Sequence, residues 1–324
     1  MNSIDAMATE IGYQVEDLPK LELPERVKAN NPLIVGSGDS YAAALIAQYA
    51  SNHRVVCCNP MDILINPNII SDRQVFIVSV SGNTIANVIA AKIATEKRVP
   101  TTAITANPKS KLAKNCDGII ELRFKTVKVP TAGTIAFTSS MLACLSLVKK
   151  INSLCNIDTV FEQANHEIED FFSASAKSGH YASYSSYVLL GIGILFPVAI
   201  YGALKINEVL GSKAFAYPVE EFFHSPLFGT KVDDQIILLA NLHRDDNRKS
   251  KKLKILYEKF RELHFPTLYV DCSGESLTDS LLKAIFSSQL FVLRHAQKIG
   301  MKDCYFLDNR ELLKASSDII YGVK

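Results

Sequence analysis

Three hydroxyl residues, Ser79, Ser81 and Thr84, close the stretch "VFIVSVSGNT", Val75 to Thr84, with Gly82 among them and no lysine or arginine. The run before them is strand-type, and helical residues begin near Ile85. Hydroxyls and backbone amides at a strand-to-helix turn can hold an anion, because the first amides of a helix carry partial positive charge and need acceptors. A phosphate fits such a turn without a cation. A plain serine-capped helix has the same signature. A parallel turn, "GSGDS" with Gly38 and Ser40, tips the balance to phosphate, since two such turns on neighbouring strand ends form one site. Neither turn is a nucleotide P-loop or a dinucleotide fingerprint, because GxxxxGK[ST] and the third glycine of GxGxxG are missing.

Further along, Lys205 and Glu208 lie three apart in "GALKINE" and share one helix face, as an exposed ion pair would. His224 stands in "EFFHSP"; alone, such a histidine is more often structural. Arg310 and Lys314 are four apart in "NRELLK", where a basic helix end is the plain reading. A carboxylate on a rigid helix can move a proton beside a carbonyl. A histidine is suited to acid–base work near neutral pH, and a lysine can form an imine or stabilise an enolate oxygen.

These residues need elements to position them. In the first half, buried strands alternate with helices: "PLIVGSGDS", "YAAALIAQYA", "RVVCCN", "QVFIVSVSGNT", "IANVIAAKIATEKRV", "TTAITAN", "SKLAKNC", "GIIELRF", and a helix over residues 134–150. Continuous apolar strands between helices imply a parallel sheet covered on both faces. The second half repeats the plan. "SYVLLGIG", "QIILLANLH", "TLYVDCSGES" and "SSQLFVLRHAQKIG" answer "PLIVGSGDS", "QVFIVSVSG", "TAITANPKS" and "SSMLACLSLVKKIN" at an offset of about 148 to 166 residues. The expected architecture is α/β: two tandem copies, each a doubly wound, mainly parallel five-stranded sheet of flavodoxin-like or Rossmann-like type. Residues 1–152 form the N-terminal copy and 153–324 the C-terminal one. A helix, "TVFEQANHEIEDFFSAS", is expected near the join. The second copy lacks the hydroxyl cluster, so it has lost the anion site and contributes something else.

The 324 residues suffice for two such domains, and 48% apolar content suffices for their cores. A net charge of +2 with interspersed acids and bases gives no footprint for nucleic acid or a membrane surface, and the run Arg248 to Lys254 reads as solvated. Seven cysteines without CxxC spacing or a leader before them read as free thiols in a reducing cytoplasm. Cys57 and Cys58 are adjacent on a strand and point to opposite faces, a poor chelate. No metal site or organic cofactor is indicated. Tyr187 to Leu204 has eighteen uncharged residues, the length of a membrane span. Its glycines and Pro197 divide it into a strand, a turn and a helix, so a soluble α/β segment is expected.

Taken in order, the motifs match a family. The chain resembles the sugar isomerase (SIS) double-domain proteins, in particular the isomerase half of glucosamine-6-phosphate synthase and the archaeal-type glucosamine-6-phosphate deaminases. "MATEI" at Met7 is similar to the family's M-x-x-E-I opening. "SVSGNT" matches S-x-S-G-x-T, "GALKINE" matches G-A-L-K-x-x-E, "EFFHSP" matches E-x-x-H-G-P, and "RELLK" matches R-N-L-x-K. The resemblance implies that Ser40, Ser79, Ser81 and Thr84, with the Val80 amide and the Gly38 turn, hold a sugar phosphate. It implies that Glu208 moves a proton between C1 and C2, and that His224 of a neighbouring subunit opens the ring. Lys314 would sit over the open-chain carbonyl, and Lys205 and Arg310 would support the site. A homodimer follows if His224 acts across subunits.

The departures from the pattern bear on the substrate. No glutaminase segment precedes the first motif, which points to release of ammonia or use of free ammonia. Tyr201 replaces a glutamate, Val80 a glutamine, Asn83 a glutamate, Gly133 a sugar-contacting serine, and Ser225 the glycine after the histidine. Ten residues follow Lys314. The leading expectation is a cytoplasmic amino-sugar phosphate deaminase/isomerase, converting glucosamine 6-phosphate and water to fructose 6-phosphate and ammonia. Another phosphosugar isomerase, a sugar-amine 6-phosphate deglycase, and a sugar-phosphate sensor that binds without reacting are the alternatives.

Overall fold

The computed structural model describes residues 1–24, 31–151, 154–177, 184–241 and 247–322, with side chains omitted at 176–177 and 247–254. The basic run Arg248 to Lys254 therefore lies outside the described side chains. Helix α1 (Ser3–Asp17) is followed by β1 (Leu33–Val35), α2 (Asp39–Ala50), β2 (Val56–Cys58), α3 (Pro60–Ile65), β3 (Val75–Val78), α4 (Ile85–Glu96), β4 (Thr101–Thr105), β5 (Gly118–Glu121) and α5 (Ile135–Ser146). The second half holds α6 (Ile157–Lys177), β6 (Tyr187–Gly191), α7 (Phe196–Leu210), β7 (Ala214–Pro218), α8 (Val219–His224), α9 (Pro226–Gly229), β8 (Gln235–Ala240), α10 (Asn247–Glu262), β9 (Thr267–Asp271), α11 (Leu277–Lys298), α12 (Tyr305–Asp308) and α13 (Arg310–Tyr321).

These elements form two compact units. The first-sheet unit comprises Gly12–Lys128, Gly133–Ser153 and Phe306–Lys324; the second-sheet unit comprises Met1–Ile11, Val129–Ala132 and Leu154–Tyr305. In the first, five parallel strands run in the order β2-β1-β3-β4-β5. Strands β1 and β3 are adjacent, with Val35 beside Ile77. All four residues of β3 are buried, which explains its unbroken apolar run. The core beneath it combines Leu33, Val35, Ile77, Ala90, Ala91 and Leu112.

In the second-sheet unit four parallel strands run β7-β6-β8-β9, the same winding as the first four strands of the other sheet. Among the described residues this sheet has four strands where five were expected. The helix expected near the join is α6, which packs along α11 through Phe161 on Phe286 and Phe172 stacked on Phe291. The Glu167 carboxylate of α6 accepts the Asp271 amide at 2.8 Å and faces Lys283 at 3.9 Å, fastening α6 to β9 and α11.

The uncharged stretch Tyr187 to Leu204 is strand, turn and helix, with Pro197 in the first turn of α7. By length and composition the window Gly193–Leu210 could cross a membrane, but 56% of it is buried inside the protein. It packs against β6, β7 and α11, as a core helix does. All seven cysteines are free thiols, and burial pushes the Cys58 thiol up to about 12 and Cys116 to about 11.

Candidate functional site

The order β2-β1-β3-β4-β5 reverses direction between β1 and β3, and open α/β sheets bind ligands beyond the carboxyl ends of the strands at such a reversal. Both expected turns leave from there. Gly36 must be glycine, since a Cβ on it would lie 2.7 Å from the carbonyl carbon of Ser40. The tight approach lets α2 start immediately after β1. Gly38 has φ +56° and caps α2 without a side chain, and the Tyr41 and Ala42 amides donate to its carbonyl at 3.0 and 3.1 Å. Ser40 is thereby held in the first turn, half-buried.

The second turn shows why it suits an anion. The Ser79 carbonyl accepts the Gly82 amide at 3.0 Å. The Val80 carbonyl accepts the Thr105 hydroxyl and the Ala106 amide, each at 3.0 Å. The Ser81 carbonyl accepts the Asn83 side-chain amide at 3.1 Å, and the Gly82 carbonyl accepts the Leu112 amide at 2.9 Å. Four successive acceptors are thus engaged. Among the described residues, the amides of Val80, Ser81 and Thr84 donate to no protein acceptor. A turn with its carbonyls satisfied and its donors spare is a receptor for an anion. The Thr84 hydroxyl does not cap α4, so the plain capping role is not taken up. Gly82 has φ +63°, and a Cβ there would fall 2.0 Å from the Ser110 hydroxyl. The departure at Asn83 has a structural use: its side chain closes the turn on Ser81 and receives the Lys111 amide at 3.4 Å.

Two further expected residues belong to the same unit. Arg310 and Lys314 are exposed on α13, whose start is capped by the Asn309 side chain accepting the Leu312 amide at 3.2 Å. Helix α13 packs beside α4. A Cβ on Gly322 would lie 2.8 Å from Ile85, the first residue after the serine turn. The residues after Lys314 therefore run beside the anion turn. Gly133 precedes α5, and a Cβ there would lie 3.0 Å from Oδ2 of Asp39, which sequence reasoning did not single out.

Lys205, Glu208 and His224 belong to the second-sheet unit. Lys205 is 1% exposed, and its Nζ lies 2.5 Å from Oε2 of the half-exposed Glu208. The expected surface ion pair is instead a buried ammonium that fixes a carboxylate at the protein surface. Leaving that ammonium without its partner would be costly. Tyr201, in place of a glutamate, turns its ring to the Lys205 ammonium at 5.4 Å and receives the Gln289 side-chain amide on its hydroxyl at 3.0 Å. An aromatic face substitutes for a second carboxylate. Nothing in the spacing revealed that, because it depends on α7 and α11 meeting. His224 ends α8 exposed to solvent, two residues after the fully buried Phe222 that anchors the helix.

Comparison with known proteins agrees with this geometry. Residues 27–150 match the family model described as "SIS domain". A glutamine–fructose-6-phosphate aminotransferase (isomerizing) of Legionella pneumophila is 28% identical over 263 residues, covering 74% of this chain and 41% of that protein. The chain thus spans about two fifths of that relative's length. Among solved structures, the C-terminal domain of glucosamine-fructose-6-phosphate aminotransferase from Francisella tularensis has a TM-score of 0.71 at 22% identity, over 91% of this chain and 96% of that one. Glucosamine-6-phosphate deaminase from Thermotoga maritima has a TM-score of 0.65 at 20% identity, over 93% of both chains. Over 74% of its length the chain is similar to an isomerizing aminotransferase, and over 91% of its length it shares the fold of the C-terminal domain of one.

Proposed function

We propose that the protein is an amino-sugar phosphate deaminase/isomerase of two tandem SIS domains, residues 1–152 and 153–324, acting in the cytoplasm on glucosamine 6-phosphate. The observation that carries the reading is the turn Ser79–Thr84, with satisfied carbonyls, spare amides and no cation. Such a turn takes the phosphate. Ser40 joins it from the neighbouring strand end. The remote phosphate supplies binding energy that can be used at the reacting carbons. The matching winding of the two sheets supports the tandem arrangement.

In the proposed reaction His224 of a neighbouring subunit of a homodimer opens the sugar ring. Glu208, positioned by Lys205, removes the proton at C2 and returns it at C1, while the C1 oxygen takes up a proton. The C2–N bond becomes an imine, which water hydrolyses to the ketone with release of ammonia. Lys314 attends the carbonyl and Arg310 the C-terminal segment. The departures at Gly133 and Tyr201 favour one second reading: the same proton transfer on a different phosphosugar.

The test is purified protein with glucosamine 6-phosphate, with ammonia and fructose 6-phosphate both measured. Equal release of the two is expected. Neither product, with thermal stabilisation by sugar phosphates, would move the assignment to another phosphosugar.

A further inference from the structure

We propose that a cleft at the reversal of the second sheet binds an uncharged, largely apolar small molecule, independently of the reaction proposed above.

Its place comes from the topology. The order β7-β6-β8-β9 reverses between β6 and β8. Ligands of open α/β sheets bind beyond the carboxyl ends of the strands at such a reversal. The cleft lies at those ends: Gly191 closes β6, Pro218 closes β7 and Asn241 follows β8, and all three line it. Its volume is about 700 Å³, within the range of about 300–1,000 Å³ usual for small-molecule sites.

The walls decide the class of ligand. They are mainly apolar, with Ile192, Ile194, Phe223, Leu256, Leu277 and Leu281 among them. The polar groups are bonded to one another. The Asn241 side-chain amide donates to the Ser280 hydroxyl at 3.4 Å, and its carbonyl accepts the Ser273 hydroxyl at 3.2 Å. The Ser280 hydroxyl donates to the Ser276 carbonyl at 3.1 Å. Among the described side chains, the charged ones on the walls are Glu220, exposed to solvent, and Lys259, whose ammonium lies 2.5 Å from the Glu262 carboxylate. A charged ligand would give up water here and gain little in return. An apolar ligand gains in proportion to the area it removes from water.

The probe for the test is N-phenyl-1-naphthylamine, which is uncharged and fluoresces in apolar surroundings, titrated into the whole protein. Saturable binding of one probe per chain is expected, with a dissociation constant of about 10 μM or tighter. Ile192→Glu and Ile255→Glu each place a carboxylate on the cleft wall, and each should weaken binding about tenfold or more. Ile255 is 48% exposed, so its replacement removes no core residue and the test stands even if Ile192→Glu fails to fold. Phe228→Ser and Ile319→Ser change apolar side chains elsewhere, 82% and 81% exposed, and should leave binding as it was. Absence of saturable binding to the wild type overturns the proposal. So does unchanged affinity in the cleft variants, or loss of affinity in the two surface variants, which would put the probe on exposed side chains.

Discussion

At the end of β1 the chain reads Gly36-Ser37-Gly38-Asp39-Ser40; at the end of β6 it reads Gly191-Ile192-Gly193-Ile194-Leu195. The backbones are alike. A Cβ on Gly36 would strike the Ser40 carbonyl carbon at 2.7 Å, and a Cβ on Gly191 would strike Phe196 Cα at 2.4 Å. Gly38 and Gly193 both take φ +56°. Each sheet reverses at the same place in its strand order. The side chains are opposite in kind. The first reversal is lined by hydroxyls and spare amides. The second opens into a cleft of about 700 Å³ walled by Ile192, Ile194, Phe223, Leu256 and Leu281, with Asn241 among the few polar groups. The winding provides the place, and the residues after each strand decide what the place can hold. In the second-sheet unit the residues proposed for proton transfer and ring opening lie on α7 and at the end of α8, off the strand ends.

This division can be broken experimentally. If binding belongs to the serine turn and proton transfer to Glu208, Glu208→Gln should lower turnover by about 10²- to 10⁴-fold while sugar-phosphate affinity is retained. Turnover kinetics and isothermal titration would check this, and unchanged turnover would sink the assigned role.

The next largest effect concerns the glycines. Gly193 has open space around its missing Cβ, so Gly193→Ala carries only the strain of a positive φ, about 1–2 kcal/mol. Gly82→Ala adds the overlap with Ser110 and should cost about 2–4 kcal/mol, together with lost phosphate binding. Chemical denaturation of the two variants compares them directly, and equal losses would contradict the packing described.

A hydroxyl that donates to a charged phosphate contributes about 1.5–3 kcal/mol. Ser81→Ala and Thr84→Val are each expected to weaken phosphate-ligand binding about tenfold or more. Ile192→Ser, at the second reversal, should leave phosphate affinity as it was. Titration with inorganic phosphate would reveal any departure.

The smallest effect is a pH dependence confined to the second-sheet unit. Burial holds His295 below the ordinary histidine pKa, with Tyr184, Tyr187, Phe172 and Phe291 around its ring. The unfolded chain takes up this proton at a higher pH than the folded chain does. This stabilising contribution is therefore complete above the ordinary histidine pKa and lost as pH falls below it. Melting temperatures should drop by a few degrees on acidification, and His295→Gln should flatten the slope. A slope unchanged in that variant would show that other groups carry it.

Much of the fold was legible because it rests on local patterns. Four buried residues in a row at Val75–Val78 and six at Gln235–Ala240 mark central parallel strands, and the glycine turns follow the neighbouring strands β1 and β6. The serine turn was legible because it is local: three hydroxyls within six residues, one glycine and a helix start. The pairing of Lys205 and Glu208 followed from a spacing of three, but its burial did not. A lysine reads as surface until α7 is packed against its neighbours, with Tyr201 facing its ammonium. The second sheet showed four strands instead of five among the described residues, because similarity of motifs marks strands that exist and says nothing of one that has none.

The sequence by itself determined the alternating elements, the two reversals and the anion turn, since each depends on side-chain period, glycine freedom or amides within a few residues. Tertiary structure alone decided which donors stay spare, which acid stands beside Gly133, and where the C-terminal segment runs. The saturation of the Val80 carbonyl needs Thr105, and the path past Ile85 needs Gly322, both far along the chain. Contacts across such separations exist only after chain closure has been compensated by packing, and no local pattern encodes which partner arrives.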